Sequence, residues 1–104
     1  MLTMEQRIKK AGRRYLELRG YKVIDQQNDF DIVCDEDETV FVKYIEGWDN
    51  VPKSLKAIFE DALTNYAERI EHPFGDVRCD TIEFKILGGD RALIRHAIDV
   101  LNPF

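Results

Sequence analysis

The 104-residue sequence has no apolar run long enough to cross a membrane, and its first ten residues, MLTMEQRIKK, lack the apolar segment of a signal peptide. We therefore expect a cytoplasmic protein without a membrane-spanning segment. Cysteine is also scarce: Cys34 and Cys79 lie in predicted strands, with neither CxxC spacing nor clustered histidines near them. This pattern favours packed, reduced thiols over a disulfide or a zinc site.

Linkers, internal repeats and low-complexity segments are missing as well. A chain of this length can bury one hydrophobic core but is short for two. We predict a single domain over residues 1–104.

Positive charge is rare outside the first 22 residues. Those residues hold seven Lys/Arg against two acidic side chains, whereas the remaining 82 hold eight basic and 18 acidic ones, and the net charge is -5. The balance argues against a general polyanion binder. Only the first helix suits a phosphate backbone: Arg7, Lys10 and Arg14 recur along it, with Lys9 and Arg13 beside them, although a solvated helix face has the same pattern.

Apolar periodicity and turn residues predict seven elements. They are a helix over residues 4–19 with a Thr3–Gln6 capping box, strands over 21–25, 29–34 and 39–46, a helix from about 52 to 70, a strand over 76–87, and a final strand followed by a turn of helix. A helix between the third and fourth strands implies a crossover and a parallel pair. The prediction is an α/β fold, a mixed five-stranded sheet flanked by helices in the order α-β-β-β-α-β-β.

Two charges interrupt the predicted hairpin FDIVCDEDETVFVKYIEG from inside its strands, Asp31 in the first and Lys43 in the second. A charge in a sheet interior costs several kcal/mol unless it is paired, neutralised or bound to a metal. Each of them therefore needs a partner or a function.

The order of elements and five segments of the chain resemble the YraN-like family of the restriction-endonuclease-like, or PD-(D/E)XK, nuclease superfamily. These segments are Gly20-Tyr21 and residues 28–33, 39–42, 78–82 and 94–98, similar to a Gly-Tyr element and to the family patterns G-E-I-D-L-I, L-V-F-V-E-V-K-T-R, R-F-D-V-V and I-x-H-I. The resemblance spans nearly the whole chain and implies a restriction-endonuclease-like core.

In active relatives, as the resemblance implies, the strand Asp and the Glu of E-x-K bind a divalent metal, and the Lys orients or activates water. Here Asp31 matches the Asp, while Lys43-Tyr44-Ile45 stands in place of E-x-K. A second alignment, with a turn one residue longer, puts Tyr44 and Glu46 at the Glu and Lys positions. Neither alignment has a carboxylate two residues before a lysine, so the resemblance implies a degenerate site at Asp31, Lys43 and Ile45, without a cofactor.

Two hypotheses follow for the site. In the first, the protein is catalytically inactive and acts as a nucleic-acid or protein interaction module, with the Lys43 ammonium paired to Asp31 where relatives hold a metal. That pairing requires the two side chains to share a face, hence an odd-length turn. In the alternative, the protein is a Mg²⁺-dependent DNA endonuclease whose ion is held by Asp29, Asp31 and Glu46.

Other polar or aromatic residues receive structural interpretations. We expect Asp80 to bond backbone or a basic neighbour, His96 to be a packed and hydrogen-bonded imidazole, and Glu46 to be solvated. His72 is expected at a helix end, and Trp48 to cover the core from a loop, with stacking on a base or partner as the alternative.

Overall fold

The computed structural model describes residues 1–27, 30–36, 38–48, 50–69, 77–89 and 91–101, without the side chains of Gln27 and Arg69. The elements are α1 (Met4–Leu18), β1 (Lys22–Gln27), β2 (Phe30–Asp35), β3 (Glu38–Glu46), α2 (Leu55–Arg69), β4 (Val77–Gly88) and β5 (Arg91–Ala97). Their order confirms the predicted α-β-β-β-α-β-β arrangement.

The five strands form one mixed sheet in the spatial order β1-β2-β3-β4-β5. Only the β3–β4 pair is parallel, and the other three pairs are antiparallel. A parallel pair needs a long crossover, which α2 provides here. The predicted mixed sheet is confirmed.

The two helices cover opposite faces of the sheet. We call these the α1 face and the α2 face. The α1 face buries Ile8 and Leu16 of the helix against Val33, Val40, Val42, Ile82 and Phe84. The α2 face buries Phe59, Ala62 and Tyr66 against Phe30, Ile32, Phe41 and Cys79. Because side chains alternate along a strand, each charged residue of the central strands lies on either the α1 face or the α2 face.

Helix α1 is fixed at its start by a cap and near its middle by a glycine. The Thr3 hydroxyl accepts from the Gln6 amide at 3.1 Å, and Gln6 Oε1 accepts from the Thr3 amide at 2.8 Å, which confirms the capping box. Gly12 is buried, and a Cβ atom added to it would overlap the Tyr44 ring. The missing side chain therefore lets α1 lie directly on a β3 aromatic.

The described residues after β5 differ from the prediction. The final strand forms, but residues 98–101 make a bend and a turn rather than a turn of helix. The Val100 amide donates to the Cys79 carbonyl at 2.8 Å, so this segment folds back on β4 instead of coiling. None of the helices in the described part of the chain is long and apolar enough to cross a membrane.

The two cysteines are free thiols, as predicted, with different surroundings. Burial, reinforced by Asp80 and Asp99, raises the pKa of Cys79 to about 12, so almost no thiolate exists there near neutrality. With iodoacetamide at pH 8, we expect Cys34, which is only partly buried, to be alkylated in the native protein and Cys79 only after denaturation. Mass spectrometry of the labelled sites, with a urea-unfolded control, measures this, and equal native labelling of both thiols would contradict it.

Candidate functional site

The register of the β2–β3 hairpin separates Asp31 and Lys43, the two charges that were predicted to pair. Asp31 lies opposite Val42, and Lys43 lies opposite Phe30. Opposite residues in an antiparallel pair share a face, so Asp31 is on the α1 face and Lys43 is on the α2 face. The predicted Asp31–Lys43 pair is wrong, because the turn between Asp35 and Glu38 has two residues, an even number.

Lys43 instead lies beside an aromatic ring. Its Nζ is 5.4 Å from the centroid of the Phe30 ring, a cation–π contact. Ile45, on the same face, is buried in the sheet. Of the three residues that replace E-x-K, only the middle one, Tyr44, faces Asp31.

The partners of Asp31 come from α1 and β3. Arg13 binds it with two parallel hydrogen bonds, Nε to Oδ2 and Nη2 to Oδ1, each 2.8 Å long. The Tyr44 hydroxyl donates to Oδ2 at 2.6 Å. Asp31 is fully buried, whereas the Arg13 side chain is 37% exposed. Bidentate guanidinium–carboxylate pairs are among the strongest hydrogen-bonded contacts in proteins, so Arg13 neutralises Asp31.

The protonation states agree with this geometry. The hydrogen bond to Asp31 raises the pKa of Arg13 above its usual value, despite partial desolvation. Burial, followed by the hydrogen bond to Asp31, raises the pKa of Tyr44 far above that of free tyrosine. Arg13 therefore stays charged and Tyr44 stays protonated, and both act as donors to the carboxylate.

A bulge in β1 completes this cluster. Val23 pairs with Val33, yet Gln26 rather than Asp25 lies opposite Asp31, because one extra residue interrupts the ladder between Val23 and Asp25. Arg13 Nη2 also donates to Gln26 Oε1 at 3.0 Å. The bulge thus places a neutral amide, instead of a second carboxylate, beside Asp31.

The described residues around Asp31 do not fit a divalent metal. Both carboxylate oxygens already accept hydrogen bonds, and a guanidinium is bound to them. Glu46 is exposed, as predicted, and lies four residues beyond Val42, about 13 Å along the strand. Within the described ranges, no three His, Cys, Asp or Glu side chains are grouped to hold a metal ion. Asp29 lies outside the described residues, so the three-carboxylate set stays a prediction.

A second buried carboxylate, Asp80, lies at the centre of a larger network on the same face. Arg78 donates to both its oxygens at 3.0 and 3.1 Å, His96 Nε2 is 2.8 Å from Oδ2, and the Asp99 amide donates to Oδ1 at 2.9 Å. Asp80 therefore bonds a basic neighbour and a backbone amide, and His96 is a packed, hydrogen-bonded imidazole, as predicted. The two segments similar to R-F-D-V-V and I-x-H-I therefore meet in this network.

Arg78 and His96 connect Asp80 to the rest of the fold. Arg78 Nη1 donates to Asp35 at 3.1 Å and Nη2 donates to the Tyr21 hydroxyl at 2.7 Å. The Tyr15 hydroxyl lies 3.2 Å from His96 Nδ1. The His96 side chain is only 6% exposed, so this Tyr-His-Asp chain leaves its imidazole little access to a substrate.

Opposing effects act on Asp80. Burial alone would raise the pKa of this carboxyl, but hydrogen bonds from His96, Arg78 and the Asp99 amide outweigh it and keep the pKa below the ordinary value. Burial would also lower the pKa of Arg78, yet the bond to Asp80 leaves it raised. The two groups therefore form a charged pair inside the protein.

The predicted basic surface is smaller than the sequence suggested. Arg7, Lys10 and Arg14 are exposed on α1, whereas Arg13 is directed inward to Asp31.

On the α2 face, Trp48 is half-buried and its ring centroid is 4.5 Å from the Arg95 guanidinium, which also binds Glu83 at 2.7 Å. Residue 72 lies outside the described part of the chain.

No protein-family model matches the chain, and no curated protein is significantly similar to it. The nuclease resemblance is therefore a hypothesis that depends on the five segments and on the order of elements.

Proposed function

We propose that this protein is a catalytically inactive, restriction-endonuclease-like domain that works by binding nucleic acid. The observation that carries the proposal is the state of Asp31, the residue that would hold the metal in an active relative. Its carboxylate is fully buried and bound by Arg13 and Tyr44. A cation of the protein thus takes the place that a catalytic ion would need.

The architecture supports the nuclease-like part of this proposal. A leading helix, a hairpin that carries Asp31, and a helical crossover into a parallel strand occur in the order expected for that core. Loss of the carboxylate and lysine from Lys43-Tyr44-Ile45 removes the groups that would position and activate water. What remains is the fold, with the carboxylate of Asp31 bound by Arg13 and Tyr44 at the position of the reaction centre.

The distribution of charge supports nucleic acid as the ligand. Arg7, Lys10 and Arg14 are exposed along one helix, whereas Arg13 of the same helix is bound to Asp31. The rest of the chain is strongly acidic. A polyanion is therefore repelled from most of the surface and is directed to α1.

Fluorescence anisotropy of a labelled 20-base-pair duplex and of the matching single strand tests this interface. We expect the triple variant Arg7→Glu, Lys10→Glu and Arg14→Glu to bind at least tenfold more weakly. Three phosphate contacts predict a slope of about -2.7 for the logarithm of affinity against the logarithm of salt concentration on the duplex, and this slope should flatten in the variant.

A matched control changes the net charge equally. Lys53, Lys56 and Lys85 are also exposed, and their reversal to glutamate removes the same charge from other parts of the surface. The proposal requires this control to bind nearly as well as the natural protein. Equal losses in both variants, or no binding at low salt, would contradict a specific α1 interface.

A cleavage assay separates the inactive domain from the alternative nuclease. We expect plasmid DNA to stay intact with Mg²⁺ or Mn²⁺ present. Divalent-ion-dependent cleavage that is lost in Glu46→Gln would instead support the site of Asp29, Asp31 and Glu46. Glu46 is exposed at the end of β3, so this substitution tests the chemistry without disturbing the core.

A further inference from the structure

Strand β5 is at one edge of the sheet. It pairs with β4 on one side, and no strand in the described part of the chain pairs with its other side. It has seven residues, RALIRHA, without proline. An open edge of this length can pair with another strand through its backbone.

The hairpin that carries this edge is unusually apolar on its surface. Ile86, Leu87, Leu93 and Ile94 are each 37–47% exposed. On the α1 face, this surface continues into a shallow groove of about 130 Å³ between the start of α1 and the hairpin, lined by Met4, Ile8 and Phe84 among others. The opposite edge of the sheet, β1, exposes only one large apolar side chain, Ile24. Such a concentration of apolar surface marks a docking site.

We propose that β5 pairs antiparallel with β5 of a second copy of this chain, joining two sheets into one of ten strands. A closed two-fold dimer needs a surface that is complementary to itself. The two-fold axis of such a pair is perpendicular to the sheet, so each face of one sheet continues into the same face of the other. Only registers centred on a residue are then possible, because facing residues must share a face.

The spacing of the arginines selects one register. With the axis at Ile94, all seven residues of β5 are paired, Arg91 faces Ala97 and Arg95 faces Leu93 of the second copy. Moving the axis to Leu93 would place Arg91 opposite Arg95, and moving it to Arg95 would place that residue opposite itself. Like charges directly opposite destabilise a strand pair, so the axis lies at Ile94.

The register also joins the apolar surfaces. Ile94 pairs with Phe84 within one chain, so the α1 face would carry a row of Phe84, Ile94, Ile94 and Phe84 across the joint. Arg95 is already bound to Glu83 by two hydrogen bonds, at 3.0 and 2.7 Å, which reduces the repulsion between the copies. Both α1 helices would lie on one face of the dimer. The use of that face for nucleic acid rests on the proposed function, whereas the dimer itself is independent of the proposed function.

Light scattering after size-exclusion chromatography, and sedimentation velocity at about 1 to 100 µM protein, test for a dimer with a Kd in the micromolar range or below. We expect twice the 12.2 kDa mass of one chain. Ile94→Lys places two ammonium groups at the axis and should weaken dimerisation at least a hundredfold. The matched control Ile24→Lys, on the other edge, should remain dimeric, and circular dichroism should show both variants folded.

A second variant tests the register itself. Leu93→Glu would face Arg95 of the second copy and should keep or tighten the dimer. A monomer at all concentrations for the natural protein, a dimer unaffected by Ile94→Lys, or dissociation by Leu93→Glu would each overturn the proposal. Association of the natural protein into species larger than a dimer would also overturn it. So would an Ile24→Lys variant that weakens the dimer as much as Ile94→Lys does. If the natural protein forms the dimer but does not bind DNA, that result would contradict the proposed function and leave the dimer proposal intact.

Discussion

Replacing Arg13 by methionine is expected to lower the free energy of unfolding by about 3 kcal/mol, because it leaves the Asp31 carboxylate buried without a cation. This value is at the lower end of the range for breaking a buried ion pair. Arg13 is 37% exposed, so water can partly take its place, while Tyr44 still donates to Asp31. Urea titration followed by circular dichroism at pH 7 gives the difference directly.

A double-mutant cycle identifies the partner of Asp31. Arg13→Met combined with Asp31→Leu should be much less destabilising than the sum of the two single changes, because no unpaired charge remains. Lys43→Met is the matched control, since it removes a cation from the opposite face of the same hairpin. It should cost less than about 1 kcal/mol, the value for a cation–π contact, and add independently to Asp31→Leu. Coupling of Asp31 to Lys43 instead of Arg13 would contradict the register.

The need for a partner at Asp31 could be predicted from the sequence, but its identity could not. A charge inside an apolar strand is visible from one segment, whereas the face it points to depends on whether the turn has an even or odd number of residues. The acidic run DEDE allows both lengths. Because the turn is one residue shorter than the pairing with Lys43 requires, Tyr44 rather than Lys43 contacts Asp31.

A signal for Arg13 was present in α1. Glycine inside a helix costs about 1 kcal/mol relative to alanine, so Gly12 indicates a close contact rather than a helix preference. That contact is the Tyr44 ring, and the cation next to the glycine is the one that reaches Asp31. The predicted element order depended on local periodicity and was confirmed; the Asp80 network joins residues as far apart as Tyr15 and His96, which only the folded sheet brings together.

The second large effect is expected for Arg78→Met. This substitution removes the guanidinium that binds Asp80 and Asp35, and should lower the free energy of unfolding by ~3 to 5 kcal/mol at pH 7, the range for breaking a buried pair. The Arg78 side chain is 10% exposed and Asp80 is fully buried, so water offers little replacement. Arg95→Met is the matched control: Arg95 also forms a two-hydrogen-bond pair with a buried carboxylate, but its side chain is 48% exposed, so water can partly replace it and a smaller loss than for Arg78→Met is expected.

Acid should reduce the difference between the natural protein and Arg78→Met. The folded-state pKa of Asp80 is held below the ordinary value, so the carboxylate stabilises the natural protein fully above about pH 4, near the unfolded-state pKa. This stabilisation is lost as the pH falls through the lower folded-state pKa. In the variant, the hydrogen bond from Arg78 no longer lowers the pKa of Asp80. Protonation of Asp80 then removes a buried charge that has no guanidinium partner, so acid destabilises the variant less than the natural protein. Urea titrations at pH 7, 5, 4 and 3 should therefore show the gap narrowing below about pH 4, whereas a constant gap would mean that Arg78 acts through packing rather than charge.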